Sequence, residues 1–492
     1  MSLRTKPGKY LASRPVPKGV KFVVVSLIAA GSMFGQNAPA ASDRPWHSPE
    51  EAAIASEARR FGEHSFSVDG DKIYSLAELI DLAEAHNPET RVAWENARAH
   101  AAALGIARSE LYPTLSAVAL SGVDRDEAGS GSQFYRQTMP DYQVELDLNY
   151  TIFDFGARRG RINAAGAQLL AANFGFNNLH RKLIYTVQQA YYRLLNASAQ
   201  ETAARASLEN AQAVQQAAEE RLKNGLATLP DVLEARSATA RARYDLQALL
   251  GAEQNAQGDL ATALGASVYS PIRVQPFNEI AGRETLEDTI EQVIDRAIAQ
   301  RPDLQIEVAG VREANAQRKE ARALFYPSLG VTVAPVAQSL YLQQQNLPWG
   351  HTADLTGEAA LSLSWTVFDG GARKSRLAQA DAQVRQSQAQ VSAAREKIEN
   401  AVGTAYTNLN TAFRQREAAT ALLNAAAQSY AAALESYQYG VRNLLDVTAA
   451  QKALAQARSA DILARTEVLA AFSDLAFSTG DLIQGRNGKR QP

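Results

Sequence analysis

The chain states its plan twice. Asn87-Pro88-Glu89 opens a helical stretch that closes at Tyr112-Pro113-Thr114-Leu115, and Arg301-Pro302-Asp303 opens another that closes at Tyr326-Pro327-Ser328-Leu329. Tyr150-Thr151-Ile152-Phe153-Asp154-Phe155-Gly156-Ala157-Arg158 is then answered by Trp365-Thr366-Val367-Phe368-Asp369-Gly370-Gly371-Ala372-Arg373, and Gly225 with Asp231 by Gly440 with Asp446. The offsets are 214 or 215 throughout. Self-similarity at a fixed offset marks a duplicated structural unit and constrains the fold before any single element does. The boundaries that follow are a first repeat over 74–270, a linker over 271–284 and a second repeat over 285–480.

Within each repeat the hydrophobic period changes once. Tyr142, Val144, Leu146, Leu148, Tyr150 and Ile152 alternate with Gln143, Glu145, Asp147, Asn149 and Thr151; Leu361, Leu363 and Trp365 continue the pattern between Ala359 and Val367. The segments after Pro113 and Pro327 are similar, the second reading Leu329, Val331, Val333. Period two over such lengths predicts strands with one apolar and one polar face. Four are expected, each about 9–11 residues, the length that crosses a bilayer as a tilted strand. The polar stretches Asp124–Asp141 and Gln338–Leu355 are expected to join each pair.

Beyond Gly156 and Gly371 the period becomes helical. Leu183, Val187, Ala190 and Leu194 step by four and three, as do residues of the seam through Ile398, Val402, Leu409 and Phe413. Residues 157–223 hold no proline, and as one helix of about 67 residues they would reach roughly 100 Å. Residues 372–438 repeat that length. Apolar residues every three or four, with Ala, Gln, Arg and Glu between, describe coiled-coil packing. A glycine then reverses the chain, and a return helix follows in each repeat (Asp231 to about Leu264; Leu444 to about Phe477).

Four amphipathic strands cannot sit alone in lipid, because every backbone polar group in hydrocarbon needs a partner and a spanning sheet must therefore close. Single-chain bacterial barrels begin at about eight strands, so four per chain call for several chains. Three copies close a barrel of twelve. Its fold class is then an α-helical coiled-coil barrel continuous with a transmembrane β-barrel formed by a trimer.

The N-terminus directs the chain outward. Arg4, Lys6, Lys9, Arg14, Lys18 and Lys21 precede an apolar run from Phe22 to Phe34, and Ala38-Pro39-Ala40 offers a cleavage site before Ala41. Residues 1–40 thus read as a signal peptide and 41–73 as an N-terminal periplasmic extension, with 481–492 as a tail. Cysteine is absent, which removes disulfides, thiolate metal sites and cysteine nucleophiles. Fifty Lys and Arg against 52 Asp and Glu give a net charge of −2, so no basic field points to nucleic acid.

The signal peptide, the duplicated strand–strand–long-helix plan, the Phe-Asp-x-Gly junctions and the two Gly-x-x-x-x-x-Asp turns together resemble the TolC family of outer-membrane efflux and secretion ducts. The resemblance runs from about Tyr74 to Gly480. It implies a homotrimer in outer-membrane lipid, a periplasmic adaptor (membrane fusion protein) and an inner-membrane transporter of RND, ABC or MFS type. It also implies a passive export duct for small molecules or polypeptides, with no cofactor.

Read alone, Gly225 and Gly440 provide the positive φ that a helix reversal needs. The resemblance implies that Gly225, Leu226, Ala227, Thr228, Gly440 and Val441 form an adaptor-contacting tip. Asp446, Arg442, Asp231 and Tyr437 read either as solvated helix-end groups or as a gate. Threefold symmetry would make Asp446 a ring of carboxylates, and the resemblance places Arg442 and Tyr437 within reach of Asp231. Two positions depart from the family: Ala449 stands where a second acidic residue often follows, and Pro230 where a hydroxyl residue supports the gate. Tyr150, Phe153, Trp365 and Phe368 fit either a membrane-interface girdle or strand-end packing. No Gly-x-Ser-x-Gly elbow, phosphate loop or paired histidine suggests catalysis or a metal. The competing reading is a periplasmic coiled-coil adaptor or scaffold with short β-domains.

Overall fold

A computed structural model describes residues 43, 50–62, 66, 68–130, 133–268, 270–275, 289–345 and 347–482. The expected signal peptide, most of the linker and most of the tail lie outside them. The chain divides into two units, 1–64 and 65–492. The first contributes helix α1 (Glu51–Gly62) among the described residues; all else belongs to the second.

The second unit runs β1 (Ile73–Tyr74), α2 (Leu76–His86), α3 (Pro88–Ser109), β2 (Thr114–Ser130), β3 (Gln133–Phe153), α4 (Ala157–Lys223) and α5 (Leu229–Leu264). A short strand β4 (Arg273–Val274) follows in the linker, and the plan then repeats as α6 (Ile290–Gln300), α7 (Pro302–Ala323), β5 (Ser328–Gln344), β6 (Gly350–Ser364), α8 (Ala372–Gln438) and α9 (Leu444–Thr479). Both long helices are unbroken over 67 residues. The parallel pair β1–β4 joins the opening of the first repeat to the linker that follows it.

Both repeats build the same core from equivalent residues. Leu79, Ala83, Leu183 and Val187 pack in the first; Val293, Ala297, Ile398 and Val402 pack in the second. The seams are thin and rich in alanine because each long helix buries only a stripe. The proline-led helices are anchored by the residue before the proline. Asn87 caps α3 and donates through Nδ2 to the carbonyl of Ala263 at 3.0 Å, while Arg301 donates through Nη1 to that of Ser478 at 3.0 Å. Each thus satisfies a carbonyl orphaned at the end of its own repeat's return helix.

The strands form one antiparallel sheet in the order β2-β3-β5-β6. They measure 17, 21, 17 and 15 residues, longer than the alternation predicts. The stretches expected to be joins are largely paired: Asp124 faces Met139, and Gln338 faces Asp354. Apolar alternation measures only the part of a strand with unlike surroundings on its two faces. The backbone ladder itself continues past that point. Where each pair of strands meets a long helix, an aspartate fastens the junction. Asp154 accepts from Gly156 N at 3.2 Å and Arg158 N at 2.8 Å, and Asp369 accepts from Gly371 N at 3.1 Å and Arg373 N at 2.9 Å. Each carboxylate also takes its arginine's Nε, at 3.1 and 2.9 Å respectively, closing the same bracket in both repeats.

Candidate functional site: a two-faced sheet and a paired helical tip

The sheet register sorts the residues by face. Leu115, Ala117 and Ala119 lie opposite Leu148, Leu146 and Val144, while Ser116 and Val118 lie opposite Asp147 and Glu145. Across the sheet, Val144 meets Ala337, which meets Leu355. In a water-soluble sheet the apolar face is covered. Here it is open: Leu355, Leu361 and Leu363 are 79%, 68% and 70% exposed. An uncovered apolar face of this extent marks a surface that meets lipid or another protein. Among the described residues both outer strands, β2 and β6, leave one edge without a partner.

Of the four aromatics singled out, Tyr150 is half-buried with the Arg158 guanidinium 6.0 Å from its ring. Phe153 meets Phe155 edge-on at 4.7 Å, and Trp365 donates its indole N–H to the Phe325 carbonyl at 3.2 Å. Phe368 is 86% exposed.

At the far ends of the long helices the two reversals are built alike. Gly225 at φ 72° and Gly440 at φ 76° occupy the left-handed region, where a side chain is strained. Leu226 N donates to Arg221 O at 2.8 Å and Gly225 N to Leu222 O at 3.0 Å; Val441 N donates to Ser436 O at 2.9 Å and Gly440 N to Tyr437 O at 3.0 Å. This double bond pattern is the Schellman stop. Three residues after each glycine a polar residue starts the return helix. Thr228 shares its N–H and hydroxyl with the Asp231 carboxylate at 2.8 and 2.7 Å, and Asn443 accepts from Asp446 N at 3.0 Å. Around each turn Gly225, Leu226, Thr228, Gly440 and Val441 are exposed, with Ala227 half-buried.

The tip residues are held over one core, in which Val214, Ala218 and Val232 of the first repeat pack with Ala433, Tyr437, Leu444 and Val447 of the second. Asp231 and Tyr437 share an electrostatic neighbourhood with Arg221, a residue the sequence reading passed over. The hydrogen bonds from Thr228, then the Arg221 charge, hold the Asp231 carboxyl below the usual range. Burial raises the Tyr437 phenol. Arg442 is exposed, and the hydrogen bonds to the Asp231 carboxylate come from Thr228 instead. The signal for Arg221 was a break in the repeat: its counterpart is Ser436, and that of Tyr437 is Leu222. Among the described residues no three His, Asp or Glu side chains converge as a metal would require, and no helix is long and apolar enough to cross a membrane.

Strands more than long enough to cross a bilayer, continuous with 67-residue helices, define a class, the outer-membrane channel subunits that carry a long helical extension. The outer membrane efflux protein family model matches residues 79–266 and 293–481, one stretch for each repeat, and the chain belongs to that family. Protein CyaE of Bordetella pertussis is 29% identical over 312 residues, 63% of this chain and 64% of CyaE. Outer membrane protein OprJ of Pseudomonas aeruginosa is 26% identical over 320 residues, 65% of each chain. The matched region therefore spans a little under two-thirds of both relatives. A crystal structure of a membrane protein from Pseudomonas aeruginosa superposes with a TM-score of 0.74 at 25% identity, covering 85% of this chain and 95% of that one.

Proposed function

We propose that this chain is one of three identical subunits of a passive export duct, the outer-membrane component of a tripartite efflux or type I secretion system. One observation carries the reading: a four-stranded sheet whose apolar face is uncovered and whose two edges are open. In hydrocarbon an unpaired backbone group costs several kcal/mol, so the edges of a spanning sheet must find strands. Three copies supply a closed barrel of twelve, with lipid outside and water against Gln143, Glu145, Asp147 and Asn149. The aromatics Tyr150, Phe153, Trp365 and Phe368 would stand at its membrane interface.

The long helices would carry the passage through the periplasm to a tip at the two reversals. There Gly225, Leu226, Ala227, Thr228, Gly440 and Val441 would receive a periplasmic adaptor, itself bound to an inner-membrane transporter of RND, ABC or MFS type. Small exposed residues on both turns support close approach by a partner helix. Asp446, half-buried in the first turn of α9, would form the acidic ring of a gate shared with Asp231, Tyr437 and Arg442.

The tip assignment is tested in cells by cross-linking. Gly225→Trp with Gly440→Trp is expected to abolish adaptor cross-links and export while the protein still reaches the outer membrane. Full export and unchanged cross-linking would reject it.

A further inference from the structure

We propose that Arg221 is the positioning residue that clamps the two helical hairpins of a protomer together at the tip and so keeps the duct closed. The inference rests on the gated-duct reading above and names a residue outside the gate set read from the sequence. Arg221 sits in the last turn of α4, yet its side chain serves the end of α8. Its Nη1 donates to the Tyr437 carbonyl at 3.0 Å and to the Gln438 carbonyl at 3.3 Å. These are among the carbonyls that the last turn of any helix leaves without an intrahelical donor. The guanidinium also lies 4.8 Å from the centre of the Tyr437 ring, where the ring quadrupole attracts a cation. A positive group at a helix C-terminus is further favoured by the helix dipole.

The guanidinium also borders the second reversal: a Cβ added to Gly440 would lie 3.9 Å from Arg221 Nη2, in ordinary contact. One nitrogen, Nη1, donates to both carbonyls while the flat guanidinium lies against the ring face, and a compact, strongly hydrated lysine ammonium has no planar group to lay on that ring. Asp231, on the return helix of the same hairpin, feels the guanidinium charge. One side chain of the first hairpin therefore holds the helix end and the tyrosine of the second, with its charge felt at Asp231.

The duplication makes the device one-sided. The residue equivalent to Arg221 in the second repeat is Ser436, which is too short to reach across to a neighbouring helix end. Each protomer therefore carries one such fastening, from the first hairpin to the second, and no mirror image of it. In the assembled tip, neighbouring hairpin junctions would alternate between clamped within a protomer and unclamped between protomers. Opening would require the guanidinium to leave the α8 carbonyls.

The test is single-channel recording of the full-length protein extracted from outer membranes, comparing wild type with Arg221→Ala and Arg221→Lys. The clamp predicts a severalfold rise in conductance for Arg221→Ala and an intermediate value for Arg221→Lys. Trimer yield and thermal dissociation should be unchanged, which a merely structural role would not spare. Wild-type channels whose conductance is the same in both variants would overturn the clamp and leave the duct standing. If neither the wild type nor Arg221→Ala forms a channel, the duct reading itself is overturned. If Arg221→Ala fails to reach the membrane, Arg221→Lys decides alone, because wild-type conductance in that variant contradicts the need for a guanidinium against the Tyr437 ring.

Discussion

On the polar face of the sheet stand Asp141, Glu145 and Asp147 of β3 with Asp354 and Glu358 of β6, and Asp124 and Asp126 continue the series toward the end of β2. No Lys, Arg or His shares that face among the described strand residues; Arg125, Arg136 and His351 all fall on the other. Alternation puts residues of the same parity on one face, so this sorting was readable over Tyr142 to Ile152. For Asp124, Asp126 and Asp354 it was hidden, since those stretches looked like joins. Carboxylates lining a pore attract cations and repel anions. The expected outcome is a reversal potential of cation-selective sign across a salt gradient, moved toward zero by Glu145→Gln with Asp147→Asn. Anion selectivity of the wild type would contradict the placement. Arg221 shows the opposite limit of the sequence: its partners are backbone carbonyls about 216 positions away, which no side-chain pattern encodes.

Elements were legible wherever one surface was uniform along their length. The long helices α4 and α8 begin and end where the glycines and the apolar seam put them. Strand ends were not, because a ladder of backbone bonds needs no alternation to continue. The docking of one helix end on another was also out of reach, although the residues responsible were visible as the Asn-Pro and Arg-Pro pairs. At that docking point in the second repeat, Arg181, 1% exposed, meets Asp303 at 3.4 Å and donates to the Phe477 carbonyl at 3.1 Å. Arg301 makes a two-pronged pair with the same carboxylate. Burial pushes the Asp303 pKa upward, but the Arg301 hydrogen bonds and the Arg181 charge outweigh it, so the pKa is lowered. A lowered carboxyl contributes stability that is full above its unfolded value and is lost as pH falls through the folded one. Thermal stability should therefore decline below about pH 4, and Asp303→Asn should flatten that decline. Asp303→Ala leaves Arg181 buried without its counter-charge, at a cost on the order of 3 kcal/mol. A denaturation series that shows equal acid sensitivity in wild type and Asp303→Asn would contradict the role given to this network.

At the scale of the molecule, duplication explains both what the chain can hold together and what it cannot. Each repeat builds a thin core from equivalent positions, Leu79 and Val187 answering to Val293 and Val402. The two repeats meet in one sheet through β3 and β5. The doubling stops there, leaving β2 and β6 as open edges on a sheet with an uncovered apolar face. That incompleteness was legible from strand count alone, since four strands fall short of the roughly eight at which single-chain bacterial barrels begin. Closure requires more than one copy, and native mass spectrometry of the full-length protein extracted in detergent from outer membranes tests the proposed number, three, most directly. The account predicts a particle of three chains. A monomer, or an assembly whose strand total is other than twelve, would contradict it.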